Sequence, residues 1–149
     1  MPQFTDIKGL VGQEFLVSGP TLLTQQRIDD FAAASGDDQW LHTDPERAQR
    51  ESPYGTTIAH GFLTLSLLPS FTVPFFRRYG VGHAINYGCE KVRFPAPATV
   101  NCTLVAHFTM LGATPAGPGL KLLVAATMNA DNQSKPVCYA ENVLIVFPA

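Results

Sequence analysis

Residues 58–76 read IAHGFLTLSLLPSFTVPFF, and the fold turns on how they are read. Phe62, Leu63, Leu65, Leu67 and Leu68 leave almost no polar face. That pattern predicts a helix buried nearly all round. Pro69 and Pro74 predict a kink or an end within it, because proline lacks the N–H and crowds the preceding turn. A short, wholly apolar helix in a chain otherwise patterned like strands predicts a helix wrapped by a sheet.

Downstream, the period changes from helix to strand. Val100, Cys102, Leu104, Ala106, Phe108 and Met110 alternate with Asn101, Thr103, His107 and Thr109. That is the signature of a half-buried strand. Leu120, Leu122, Val124, Ala126 and Met128 mark a second, and Val137 to Phe147 a third. Ala113 to Gly119 reads as a Gly/Pro turn between the first two, and Asp131-Asn132-Gln133-Ser134 as a turn before the third. Ala84 to Phe94 reads as a strand leading into this meander. The fold class is therefore α+β. A curved antiparallel sheet around one apolar helix is the hot-dog arrangement, as one domain over residues 1–149.

Upstream, Glu14 to Ser18 is a short strand candidate. Thr24 is a good N-cap for a helix through about Ser35, with Ile28, Phe31 and Ala32 as its apolar stripe and Gly36 as C-cap. Asp44-Pro45-Glu46 opens another short helix, with Asp as N-cap and Pro in the first turn. Between them lies GDDQWLH, residues 36–42, a tight connection between two helix ends.

Composition narrows the class of function. The chain is 46% hydrophobic and only 15% charged, with a net charge of -2. A low-charge surface predicts burial against another subunit. No Lys/Arg block draws nucleic acid or an anionic membrane. Apolar runs are broken well short of a membrane span, and the first residues lack the parts of a signal peptide, so a cytoplasmic protein is expected. Cys89, Cys102 and Cys138 are odd in number and widely spaced; they fit neither a disulfide framework nor a zinc signature, and read as reduced, largely buried thiols. No G-x-S-x-G elbow, Cys beside a His, or Gly-rich nucleotide fingerprint is present.

Asp37 and His42 stand five apart on the GDDQWLH connection. Two readings fit them. One is a solvated turn with capping duties. The other is an acid–base pair, since histidine titrates near neutrality and a nearby carboxylate can orient it or share the proton traffic. Asp38 reads as solvent-facing, Asp44 as the helix cap, and Trp40 as a packed anchor for the loop. A metal site from Asp37, His42, Asp44 and His60 has no supporting ligand spacing, so no metal is expected. His60-Gly61 begins the apolar helix. Free N–H groups at that helix start suit a developing oxyanion, and glycine permits close approach; tight packing alone would also explain it.

These residues resemble the MaoC-like dehydratase family, which includes the (R)-specific enoyl-CoA hydratases. Gly36, Asp37 and His42 match its Gly-Asp…His element, and His60-Gly61 its downstream HG. GDDQWLHTDPERA, IAHGFLTLSLLP and INYGCEKVRFPAPATV are similar in particular to the nodulation-protein-N-like branch. The likeness runs from about Thr24 to the C-terminus. Gln39 and Trp40 depart from it, standing where many hydratases carry Asn and Pro.

The resemblance implies reversible addition of water across a trans-2-enoyl thioester, giving a (3R)-hydroxyacyl thioester. Asp37 and His42 would be the catalytic pair and the Gly61 N–H the donor to the thioester oxygen. Gln39, His60 and Ser66 would be secondary substrate-site residues. No cofactor is implied; coenzyme A or an acyl-carrier thioester enters as part of the substrate. Arg77, Arg78, Lys91 and Arg93 could meet its phosphates, or be solvated surface. The site would form across a homodimer interface. A hot-dog thioesterase and a non-catalytic acyl-thioester-binding protein are the alternatives.

Overall fold

The computed structural model describes residues 1–149. A 3-10 helix, Phe4–Leu10, leads into β1 (Glu14–Val17) and β2 (Thr21–Leu22). Three helices follow: α1 (Gln25–Ser35), α2 (Trp40–Thr43) and α3 (Pro45–Glu51). Next come α4 (Gly61–Arg77) and four long strands, β3 (Val81–Arg93), β4 (Thr103–Ala116), β5 (Gly119–Ala130) and β6 (Cys138–Pro148).

All strands join one antiparallel sheet in the order β1-β4-β5-β6-β3, with β2 also pairing β4. β4, β5 and β6 form the expected meander. β3 departs from α4 and returns to the far side of β6, so it ends as an edge strand. Register shifts interrupt β1, β3 and β4, and such irregularities let a sheet bend.

The alternation read from sequence is the alternation observed. Cys102, Leu104, Ala106, Phe108 and Met110 are buried on one face, as are Leu120, Leu122, Val124, Ala126 and Met128. They share a core with Leu63, Leu67, Leu68, Phe75 and Phe76 of α4. A side chain of this size contributes about 1.5–3 kcal/mol when buried. The helix and sheet thus hold each other as the hydrophobic pattern required.

Four expectations are corrected. α4 does not end at Pro69 or Pro74 but continues through both, for 17 residues in all. Each proline removes a helical hydrogen bond, at a cost of about 3 kcal/mol, but the Leu and Phe anchors on both sides of it are packed into the core. α4 is also not buried all round, since Phe62 and Val73 are exposed. The region 113–116 is strand, and only Gly117 and Pro118 turn the chain between β4 and β5, with Gly117 at φ 56°. Cys89 is exposed while the other two thiols are buried, because β3 lies at the sheet edge.

Candidate active site

The caps read from sequence place the site loop. Thr24 Oγ1 accepts the Arg27 N–H and starts α1. Gly36 ends it in the left-handed region, φ 82°, donating its N–H to Ala32 O. Asp44 accepts the Arg47 N–H and starts α3, with Pro45 in the first turn. The tight connection contains one helical turn, α2, which carries His42. Trp40 anchors that turn, with the Arg47 guanidinium 4.4 Å above its ring.

His42 is buried, and its Nδ1 lies 2.8 Å from Ile58 O. A carbonyl oxygen only accepts, so Nδ1 carries the proton and Nε2 keeps its lone pair. That Nε2 is 4.0 Å from Asp37 Oδ2. The Asp37 side chain is 44% exposed. Gln39 Nε2 donates to Asp37 Oδ1 at 3.0 Å. This hydrogen bond holds the Asp37 carboxyl below the usual carboxylate range, opposed by partial desolvation, with smaller lowering contributions from the neighbouring His42 and His60 rings. Asp37 is thus a carboxylate at neutral pH.

Three residues that the sequence did not single out brace His42. Gln25, at the start of α1, donates to His42 O at 2.7 Å and to Asp29 at 2.9 Å. Thr57, 1% exposed, donates its hydroxyl to Gln25 Oε1. Ile58 contributes its carbonyl to His42 Nδ1 and its N–H to Leu41 O. No local pattern marks them, because the contacts join segments 16 to 32 residues apart.

Gly61 opens α4, and neither its N–H nor that of Phe62 bonds within the chain. Both are available at the positive end of a 17-residue helix. A Cβ on Gly61 would fall 2.7 Å from the Phe94 ring, so only glycine fits.

His60, expected to be a substrate contact, is instead 3% exposed. Its Nε2–H donates to Asp37 O at 2.7 Å, and its ring stacks on His42 with centroids 3.8 Å apart. Ser66 donates to Leu63 O within α4 and lines a cavity of about 330 Å³ between α4 and β3. That cavity is bounded by Leu65, Leu68, Phe108, Val124 and Leu144, with Asn86 and Asn142 as polar members. Neither Asp37 nor His42 lines it.

Asp37, His42 and His60 each bring a potential ligand atom within 4.8 Å of the others, while Asp44 caps α3 and stays outside the group. His42 Nδ1 and His60 Nε2 are each committed to a backbone carbonyl, which leaves one ring nitrogen on each histidine. The thiols of Cys102 and Cys138 are pushed up to about 11, mainly by burial, which leaves them poor nucleophiles. Arg77, Arg78 and Arg93 lie exposed on the surface.

The profile of the MaoC like domain matches residues 6–128. The chain is 41% identical over 140 residues to 3-hydroxyacyl-thioester dehydratase Z of Mycobacterium tuberculosis, covering 93% of this chain and 92% of that one. It is 35% identical over 145 residues to nodulation protein N of Rhizobium leguminosarum, covering 95% and 89%. Two solved structures share the hot-dog fold. One is (R)-hydratase PhaJ1 from Pseudomonas aeruginosa, with a TM-score of 0.75, 22% identity and coverage of 93% and 83%. The other, described as a monoamine oxidase regulatory protein from Archaeoglobus, has a TM-score of 0.78, 23% identity and coverage of 99% and 97%. The chain belongs to the MaoC-like dehydratase family, whose relatives named dehydratase and hydratase are hydro-lyases.

Proposed function

We propose that this MaoC-like protein is an (R)-specific enoyl-thioester hydratase. It would add water reversibly across a trans-2-enoyl thioester of coenzyme A or an acyl carrier, giving a (3R)-hydroxyacyl thioester. The observation that carries the reading is the 4.0 Å gap between Asp37 Oδ2 and His42 Nε2, with a free helix N-terminus one residue past His60.

Both facing atoms are acceptors. A water about 2.8 Å from each can donate one hydrogen to Asp37 and the other to His42, which turns its lone pair outward. Its oxygen then bonds to C3 of the enoyl group. The C2–C3 π pair moves to form an enolate, whose charge falls on the thioester oxygen at the Gly61 N–H. Removing one such donor typically costs about 2.7–4 kcal/mol of transition-state stabilisation. The water proton passes to Asp37 or His42, and a proton returns from the pair to C2, so the pair ends as it began. Because Asp37 rests as a carboxylate, it is suited to taking the water proton first and delivering it to C2 once protonated. No metal, nicotinamide or flavin enters this step.

Gln39 acts through Asp37, by the hydrogen bond that lowers the carboxyl's proton affinity and fixes its orientation. The cavity along α4 supports a path for the acyl chain, with Ser66 about 7.5 Å along the helix axis from Gly61.

The working form in this reading is a homodimer. β3 is a 13-residue edge strand, exposed continuously from Gly82 to Glu90, with Ile85 and Tyr87 bare to solvent. The opposite edge is blunted by the short β1 and β2, as protected edges are. A second copy on β3 would also cover Phe62 and Val73 of α4.

Stereochemistry tests the assignment. Crotonyl-CoA is incubated with the protein, and the 3-hydroxybutyryl product is resolved by chiral chromatography. The (3R) product alone is expected; the (3S) product, or a racemate, contradicts it.

A further inference from the structure

We infer that His60 is a positioning residue for the Asp37–His42 pair and not a substrate ligand; the inference rests on the hydratase reading of that pair. His60 ties the two halves of the pair together from behind. Its Nε2–H donates to the main-chain carbonyl of Asp37, 23 residues away in sequence, at 2.7 Å. Its ring stacks on His42 at 3.8 Å and 25°, and Phe31 packs against it at 4.8 Å.

Both ring nitrogens of His60 are withdrawn from a substrate: Nε2 is engaged by Asp37 O, and Nδ1 is enclosed. The only free polar atom, Nδ1, has no accessible surface and no hydrogen-bond partner. Leaving that nitrogen unsatisfied costs about 1–3 kcal/mol. A phenylalanine would avoid the penalty and fill the same space. What it could not supply is the Nε2–H that holds Asp37 O. The imidazole therefore earns its place through that bond, and the stacked face fixes the plane of His42.

The consequence is geometric. His42 is held at four points: by Ile58 O on its Nδ1, by Gln25 on its carbonyl, by its own helical turn, and by the His60 face. Asp37, by contrast, is more than two-fifths exposed on a loop, and beyond Gln39 its fixed contacts are few. The His60 bond is the one that sets the Asp37 main chain relative to the His42 ring. A misplacement of about 1 Å between reacting groups can cost about 10²-fold in rate.

Two substitutions separate the roles. His60→Gln retains an amide N–H near the position of Nε2 but loses the ring. His60→Phe retains the ring but loses the donor. Each is measured for kcat and KM with crotonyl-CoA, and for the 15N imidazole spectrum of His42. Positioning predicts that His60→Phe loses about 10²-fold in kcat with KM within about twofold of wild type. It predicts that His60→Gln recovers at least tenfold of that loss. In the spectra, wild type and His60→Phe both show His42 with its proton on Nδ1, which Ile58 O still holds, while the Asp37 carbonyl 13C resonance, followed beside it, shifts in His60→Phe and returns towards wild type in His60→Gln. A raised KM at unchanged kcat, or wild-type kcat in both variants, overturns the inference. Should His60→Phe fail to fold, His60→Gln decides by the same KM-against-kcat split. Should wild type hydrate no enoyl thioester, the hydratase reading fails on its own, and the spectrum alone decides the role of His60. An unchanged Asp37 carbonyl resonance in His60→Phe then overturns it.

Discussion

Asp37 Oδ2 and His42 Nε2 face each other across 4.0 Å, too far for a direct hydrogen bond and suited to one water held between two acceptors. The geometry gives both residues a hold on the same molecule. Asp37→Asn and His42→Gln each keep the size of the side chain while removing its proton-transfer capacity. Each is expected to lower kcat by about 10²–10⁴-fold with the fold intact by circular dichroism. A double variant near wild-type activity would remove the pair from the mechanism.

Gln39 lowers the proton affinity of Asp37. Its amide is the main reason the Asp37 carboxyl lies low, and Gln39→Leu withdraws it. The carboxyl then rises towards its ordinary range. Activity that needs the carboxylate is lost sooner as pH falls, so the acid limb of the kcat/KM profile moves to higher pH while the alkaline limb stays. The sign for stability is the same: a depressed carboxyl stabilises the fold above its unfolded value and ceases to as pH drops through the folded one. An acid limb that moves to lower pH would contradict the role given to Gln39.

Gly61 and Phe94 interlock. Gly61→Ala drives a methyl into the Phe94 ring and is expected to cost about 1–3 kcal/mol in urea unfolding. Adding Phe94→Ala should return part of that loss, with a coupling of about 0.5–3 kcal/mol. Strictly additive effects would show that the two do not share the space.

β3 is the edge on which the proposed dimer would form. The wild-type protein is expected to sediment as a dimer, and Ile85→Lys with Tyr87→Lys as a monomer, since two charges would lie in a dehydrated edge contact. A dimer that survives both substitutions places the interface elsewhere.

What could be read from sequence was what is locally encoded. Thr24, Gly36, Asp44 and Pro45 bound their helices as read, because a cap answers N–H and C=O groups three or four residues away. The β4 and β5 faces were legible because a period of two has one buried side. Asp37, His42 and Gly61 were visible as residue types on suggestive elements. Pro69 and Pro74 misled, because local propensity yields to a helix anchored in the core on both sides of them. The bracing by Gln25, Thr57 and Ile58, and the contacts of His60 with Asp37 O and the His42 ring, depend on how distant segments meet. A single sequence does not display those meetings.

The most direct test of the central claim is one cuvette. Purified protein is mixed with crotonyl-CoA, and enoyl absorbance is followed together with free thiol. Hydration at C3 predicts absorbance loss with no thiol released, abolished in Asp37→Asn. Thiol release in step with absorbance loss, or no change across a panel of chain lengths, would contradict it.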